Sequence, residues 1–171
     1  ARHRVLWLLI LMLSATITGS IITQYEDAIS AVPLLVAFLP MLMDTGGNCG
    51  SQSATLVIRG LALEEIRPRD VGRVVRKELA VALIVSAILA AANGLRIFLQ
   101  YHDAAIALVI SLSLVATVIL SKLVGCVLPI AAKQVHMDPA IMASPLITTI
   151  VDAGAVLIYF RAATAFLPLS V

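Results

Sequence analysis

Charge is what this sequence has least of. Only 13% of its 171 residues are Asp, Glu, Lys or Arg, and a soluble domain needs about twice that share to cover its surface. The imbalance of sign is small as well: a formal net charge of +2 is too weak to point to a nucleic-acid partner. Cysteine is scarce, and Cys49 and Cys126 stand far apart in Gly-rich or apolar surroundings, so neither a disulfide nor a CxxC metal site is indicated. His3, His102 and His136 fall at expected helix ends or loops. None has a metal-ligand neighbour at helical spacing, so each reads as a solvated histidine. The short alternating segments of a membrane barrel are missing too. Long apolar runs remain, in a chain that is 61% hydrophobic. They specify an all-α integral membrane protein, multi-pass in the lipid bilayer of the cell (inner or plasma) membrane.

The runs divide into five expected spans, about 5–23, 31–59, 79–98, 104–132 and 140–167, with a charged linker over about 61–78. The first follows Arg2, His3 and Arg4 as a signal peptide would. It lacks a small-x-small cleavage site before Tyr25-Glu26-Asp27 and is long enough to cross, so it reads as a true span. A chain that opens so close to a span reads as the continuation of a longer protein on the cytosolic side. Five spans put the termini on opposite sides, and the basic flanks decide which. Arg2, Arg4, Arg59, Arg67, Arg69, Arg73, Arg76, Lys77 and Lys133 fall on one side, against Arg96 and Arg161 on the other. The positive-inside rule then gives N-in, C-out.

The linker mixes both signs. Pro68 and Asp70 suit a helix start, and Val71, Val74 and Val75 form one apolar stripe, so an amphipathic helix at the inner interface is expected to lead into span three. It reads as a solvated connector touching anionic lipid, or as a docking surface for a cytosolic domain. Lys122 lies within span four, ~27 Å from Ala104 at 1.5 Å per residue. That places its ammonium near the inner headgroups, where it is expected to snorkel rather than to pair with an intramembrane acid.

Two stretches carry chemistry. In span five, Ser144, Thr148 and Asp152 recur every four residues, so one helix face carries two hydroxyls and then a carboxylate. A charge at that depth costs at least ~2.5–3.5 kcal/mol and usually faces a partner or a water-filled path. In span two, Pro40 is followed by Gly46, Gly47 and Gly50, and by Asp44, Thr45, Asn48, Ser51, Gln52 and Ser53. Proline and glycine are expected to weaken or open the helix there. Close packing through small residues explains the glycines. It does not explain Asp44, Asn48 and Gln52, which fit a pore or cavity lining. Asp44 and Asp152 both fall near mid-membrane by helical rise.

The segments TGGNCGSQS (45–53), RGLALEEI (59–66) and PLITTIVD (145–152) closely resemble the signature stretches of the MgtE family of magnesium channels and transporters. The resemblance extends over essentially the whole chain, including its span order and charged linker. It implies a homodimer with a pore between subunits, lined mainly by the second and fifth spans, and a hydrated Mg²⁺ held by Asp152 from both copies. Thr148, Thr149, Ser144, Asn48, Gly46, Gly47, Gln52 and Asp44 are then candidates to line the pore or contact the water shell. Some members carry an amide where this chain has Ser144. Family members also carry a cytosolic N-terminal domain and a CBS-domain pair that sense Mg²⁺, and neither is present in this chain.

Elementary coordination chemistry agrees with that cargo. Mg²⁺ takes six oxygens at ~2.0–2.1 Å, sheds water reluctantly and binds through one or two carboxylates. A two-fold axis would turn one Asp152 into a facing pair, and no thiolate or imidazole cluster suggests Zn²⁺ or Cu. Transport down the electrochemical gradient is the expected activity, with a broader divalent-cation range (Co²⁺, Mn²⁺) as the alternative; channel and coupled transporter both remain open. Two other classes compete. Asp44-Thr45-Gly46 spells the DTG of aspartic proteases, and Asp152 would complete an acid dyad, but Met43 and Val151 precede the acids where intramembrane proteases have YD and GxGD. A passive membrane anchor would need no buried acid.

Overall fold

Apolar runs of this length leave the backbone no partner but itself, so they fold as helices. The computed structural model describes residues 2–167, with the side chains of 2–4, 6, 7, 10 and 140–144 left aside. It is all-helical, with no strand among the described residues: α1 Arg2–Gln24, a short α2 Glu26–Ala31, α3 Leu34–Ala62, α4 Val71–Tyr101, α5 Ala104–Gln134 and α6 Pro139–Phe166. By length and composition, stretches of α4, α5 and α6 can each cross a membrane, and Leu11–Gln24 of α1 is a shorter apolar helix.

α5 is the central post. It lies against α3, α4 and α6, and α1 lies on α6. Leu35, Phe38, Leu39 and Leu42 of α3 meet Val109, Ile110, Leu114 and Val118 of α5, with Tyr159 and Phe160 of α6 closing the core. Burying a side chain of that size contributes roughly 1.5–3 kcal/mol where the alternative is water; towards lipid, tight packing does the work. The Tyr159 hydroxyl donates to the Leu35 carbonyl at 3.0 Å, and Tyr25 stacks on Phe160 with centroids 4.9 Å apart. On the far side of α4, Leu83, Ile84, Ile88, Leu95 and Leu99 are exposed, as a face meeting lipid requires.

α4 and α5 join through two residues. His102 adopts the left-handed conformation at φ 55°, and Asp103 caps α5 by accepting from the N–H groups of Ala105 and Ile106 at 2.9 and 3.0 Å. So short a turn forces the helices antiparallel.

The expected opening of span two does not occur. α3 runs unbroken from Leu34 to Ala62 through Pro40 and the glycines, and no glycine has positive φ. Each glycine costs only about 1 kcal/mol in a helix, and close packing returns it. A Cβ on Gly46 would sit 2.6 Å from Val151 Cγ1 of α6 and 2.9 Å from Thr117 Cγ2 of α5. One on Gly125 of α5 would run into the Gly50 carbonyl. Small residues therefore set how closely α3 approaches α5 and α6.

In the linker, a 3-10 turn at Pro68–Asp70 leads directly into α4. Val71, Val74 and Val75 pack against a cluster of Val57, Leu61, Cys126 and Ile130. The apolar stripe is thus spent on α3 and α5.

Candidate functional site

α3 and α6 meet along a line of small contacts, and polar groups flank that line. A Cβ on Gly47 would lie 3.6 Å from Thr148 Cγ2, so the hydroxyl-bearing face of α6 rests beside the glycine face of α3. Next to it on α3, Asp44, Asn48, Gln52 and Thr55 are exposed and Ser51 is half-buried. Asn48, Ser51, Gln52 and Thr55, with Leu56, line an open cavity of about 620 Å³. These residues recur at three- and four-residue steps, so they form one stripe along the helix.

Asp152 stands on α6 one turn beyond Thr148. It is half-buried and lines a cleft of about 450 Å³ with Thr148, Thr149, Met43 of α3 and Leu11, Ala15, Thr18, Gly19 and Ile22 of α1. Thr148 and Thr149 both donate to the Pro145 carbonyl, at 2.9 and 3.0 Å. A hydroxyl that donates to a carbonyl keeps acceptor lone pairs of its own. Among the described residues no Lys, Arg or His lies within ion-pair distance of Asp152, and none form a cluster of three or more His, Cys, Asp or Glu able to hold a metal ion. A single chain brings one carboxylate to this place.

The sequence-derived candidates are distributed as follows. Asp152, Thr148 and Thr149 share the cleft. Asn48 and Gln52 share the neighbouring stripe with exposed Asp44. Gly47 sits at the seam between them, whereas Gly46 turns inward, buried against α5 and α6, and its carbonyl accepts from the Ser121 hydroxyl. The Ser144 side chain lies outside the described residues. The wall supplied by α1, with buried Thr18, was not foreseen. Its only signal is the spacing of Leu11, Ala15, Gly19 and Ile22, small or apolar on one face.

Lys122 overturns an expectation. It does not snorkel to headgroups: it is 5% exposed and pairs with Glu78 of α4 at 3.4 Å. Glu78 closes the charged linker in sequence, yet on α4 it is buried between α3 and α5, where the ammonium meets it. A buried charge of this kind persists only when neutralised.

Comparison with known proteins identifies the family. Residues 39–162 match the family MgtE, described as a divalent cation transporter. The chain is 36% identical over 167 residues to the magnesium transporter MgtE of Bacillus subtilis (strain 168), covering 98% of this chain and 37% of that protein. It is 38% identical over 164 residues to the magnesium transporter MgtE of Thermus thermophilus, covering 96% of this chain and 36% of the relative. Against the magnesium transporter MgtE of Enterococcus faecalis it is 29% identical over 167 residues, 98% of this chain and 37% of the other. The chain thus spans little more than a third of the length of these relatives. A family of transporters leaves no place for the protease reading of Asp44 and Asp152, and this membrane protein belongs to the MgtE family of divalent cation transporters.

Proposed function

We propose that the chain is the membrane domain of a Mg²⁺ transporter, and that hydrated Mg²⁺ passes along the seam of α3 and α6 down its electrochemical gradient. One observation carries the reading: a polar stripe (Asp44, Asn48, Gln52, Thr55) is left exposed on α3 beside Asp152, which has no cation within ion-pair distance among the described residues. In hydrocarbon such a stripe is tolerated only against protein or water. A second copy related by a two-fold axis supplies both, covering the stripe while enclosing a wet path between the two seams.

In that dimer α1, α3, α4, α5 and α6 are the five spans over about 5–23, 31–59, 79–98, 104–132 and 140–167, N-in and C-out, with 61–78 at the cytosolic face. Asp152 from each copy faces the ion, and two carboxylates match the charge of one Mg²⁺ without stripping its water. Thr148, Thr149, Ser144, Asn48 and Gln52 accept hydrogen bonds from the shell, and Gly47 keeps the seam open. Gly46 contributes by packing rather than by its carbonyl. Asp44 adds a weaker, more exposed attraction. Cytosolic domains, for which the relatives' greater length leaves room, would govern opening. A path that reads charge and an octahedral hydrate also admits Co²⁺ or Mn²⁺ in part.

The test is Mg²⁺ uptake into liposomes holding the protein, its Asp152→Ala variant or its Asp44→Ala variant, with Co²⁺ and Mn²⁺ as competitors. Uptake that disappears with Asp152→Ala and persists in part with Asp44→Ala is expected. Uptake indifferent to Asp152 would end the reading, and strong competition would widen the cargo to divalent ions at large.

A further inference from the structure

The buried charges that the cation path does not use are Glu78 and Lys122. They meet a third group, and the three close a triangle. The Ser53 hydroxyl donates to Glu78 Oε2 at 2.6 Å, and the Lys122 ammonium donates to Ser53 Oγ at 3.1 Å and to Glu78 Oε2 at 3.4 Å. Ser53, Lys122 and Glu78 are 0%, 5% and 7% exposed, so water takes little part.

Each corner comes from a different helix. α4 lies along α5, and α3 lies along α5 and α6, but α3 and α4 scarcely meet. The Ser53–Glu78 hydrogen bond is therefore the reach of α4 across to α3. On α3 it holds a specific place. Gly50, one turn before Ser53, is pressed on by Gly125 of α5, and Gln52 and Asn48 of the exposed stripe are on the same rigid helix. A rotation of α3 by one residue's worth of register would carry that stripe off the seam beside Thr148 and Asp152. Gly–Gly contact fixes how near α3 stands, but it resists turning and sliding weakly, because small residues offer no knobs. A charged hydrogen bond does resist them, since leaving Glu78 and Lys122 without it is costly.

We infer that Ser53, Glu78 and Lys122 form a positioning node. Lys122 neutralises Glu78, and the Ser53 hydroxyl fastens α3 to the pair, so the polar face of α3 is held at one height and rotation beside Asp152. None of the three touches the cation. The node also ties α3 to the start of α4, which the charged linker enters, so displacement at the cytosolic end of α4 is felt by the path. The inference rests on the transport reading above.

The test uses liposomes of the protein, Ser53→Ala, Ser53→Cys, the double variant Glu78→Leu/Lys122→Met and Asp152→Ala, with maximal Mg²⁺ uptake rate, half-saturating Mg²⁺ and thermal unfolding measured for each. Ser53→Ala keeps the ion pair and cuts only the tie to α3. It is expected to lower the unfolding midpoint modestly while remaining folded at the assay temperature, to keep half-saturation near the parent value because Asp152 is intact, and to lose about tenfold in maximal rate per folded protein, the scale of one hydrogen bond to a charged group. Ser53→Cys, which retains size and a weak donor, regains part of that rate. The double variant folds but stays slow. Parent rates in Ser53→Ala and in the double variant, or a Ser53→Ala loss that only tracks lost folded protein, would overturn the node. Equal uptake by the parent and Asp152→Ala would instead sink the transport reading, and the node with it.

Discussion

Glu78 and Asp152 are both carboxylates inside one helical bundle, and their surroundings differ at every point. Glu78 is 7% exposed, has an ammonium 3.4 Å away and accepts a serine hydroxyl at 2.6 Å. Asp152 is half-buried on the wall of a cleft, among threonines and apolar side chains, with no cation within ion-pair distance among the described residues. The first charge is cancelled inside the chain, so it can hold helices together and do nothing else. The second has no counter-charge among the described residues, and under the proposed function a passing cation supplies it. Depth alone does not separate the two acids, since an intramembrane acid either pairs within the protein or faces a water-filled path.

The comparison breaks most sharply if Glu78 is removed alone. Glu78→Leu strands the Lys122 ammonium among α3, α4 and α5, and the fold should lose ~3–5 kcal/mol, read as a fall in the detergent-solubilised unfolding midpoint. Adding Lys122→Met should restore most of it, since an apolar pair replaces a buried ion pair at little cost. Asp152→Asn should do the reverse: stability holds or rises slightly, while Mg²⁺ uptake falls by about a hundredfold, the two carboxylates being replaced by weaker dipoles. Asp44→Asn, on the exposed stripe, should cost uptake less than tenfold, because a more solvated charge is better screened. Gly125→Ala probes the packing both acids depend on. Its methyl would meet the Gly50 backbone, and a loss of about 1–3 kcal/mol is expected from overpacking. His102→Gly, away from both acids, relieves a left-handed non-glycine residue and should change stability by no more than about 1 kcal/mol.

The helices were legible because apolar runs of twenty or more residues have only one way to satisfy their backbones. The polar face of α6 was legible because Thr148 and Asp152 repeat at the helical period. The continuity of α3 was not: Pro40 and three glycines argue locally for a break, and only the neighbours that fill the space around Gly46 and Gly50 show why there is none. Glu78 ends a stretch of mixed charge, 61–78, that reads as a connector or docking surface rather than as core. Its burial follows from α4 starting at Val71, and no local pattern reveals that an acid of one helix will meet a lysine more than forty residues on. Thr18 and the α1 wall were hidden for the same reason, since partners between helices are set by packing rather than by spacing.

Two Asp152 carboxylates sharing one path at a two-fold axis would make transport depend on both subunits at once, and mixed dimers measure that directly. Mg²⁺ uptake is compared for parent dimers, dimers in which both copies carry Asp152→Asn, and dimers in which one copy does. A shared path predicts that one remaining carboxylate gives far less than half of the parent rate. A mixed dimer that carries half the parent rate would contradict it, because each subunit would then hold a path of its own.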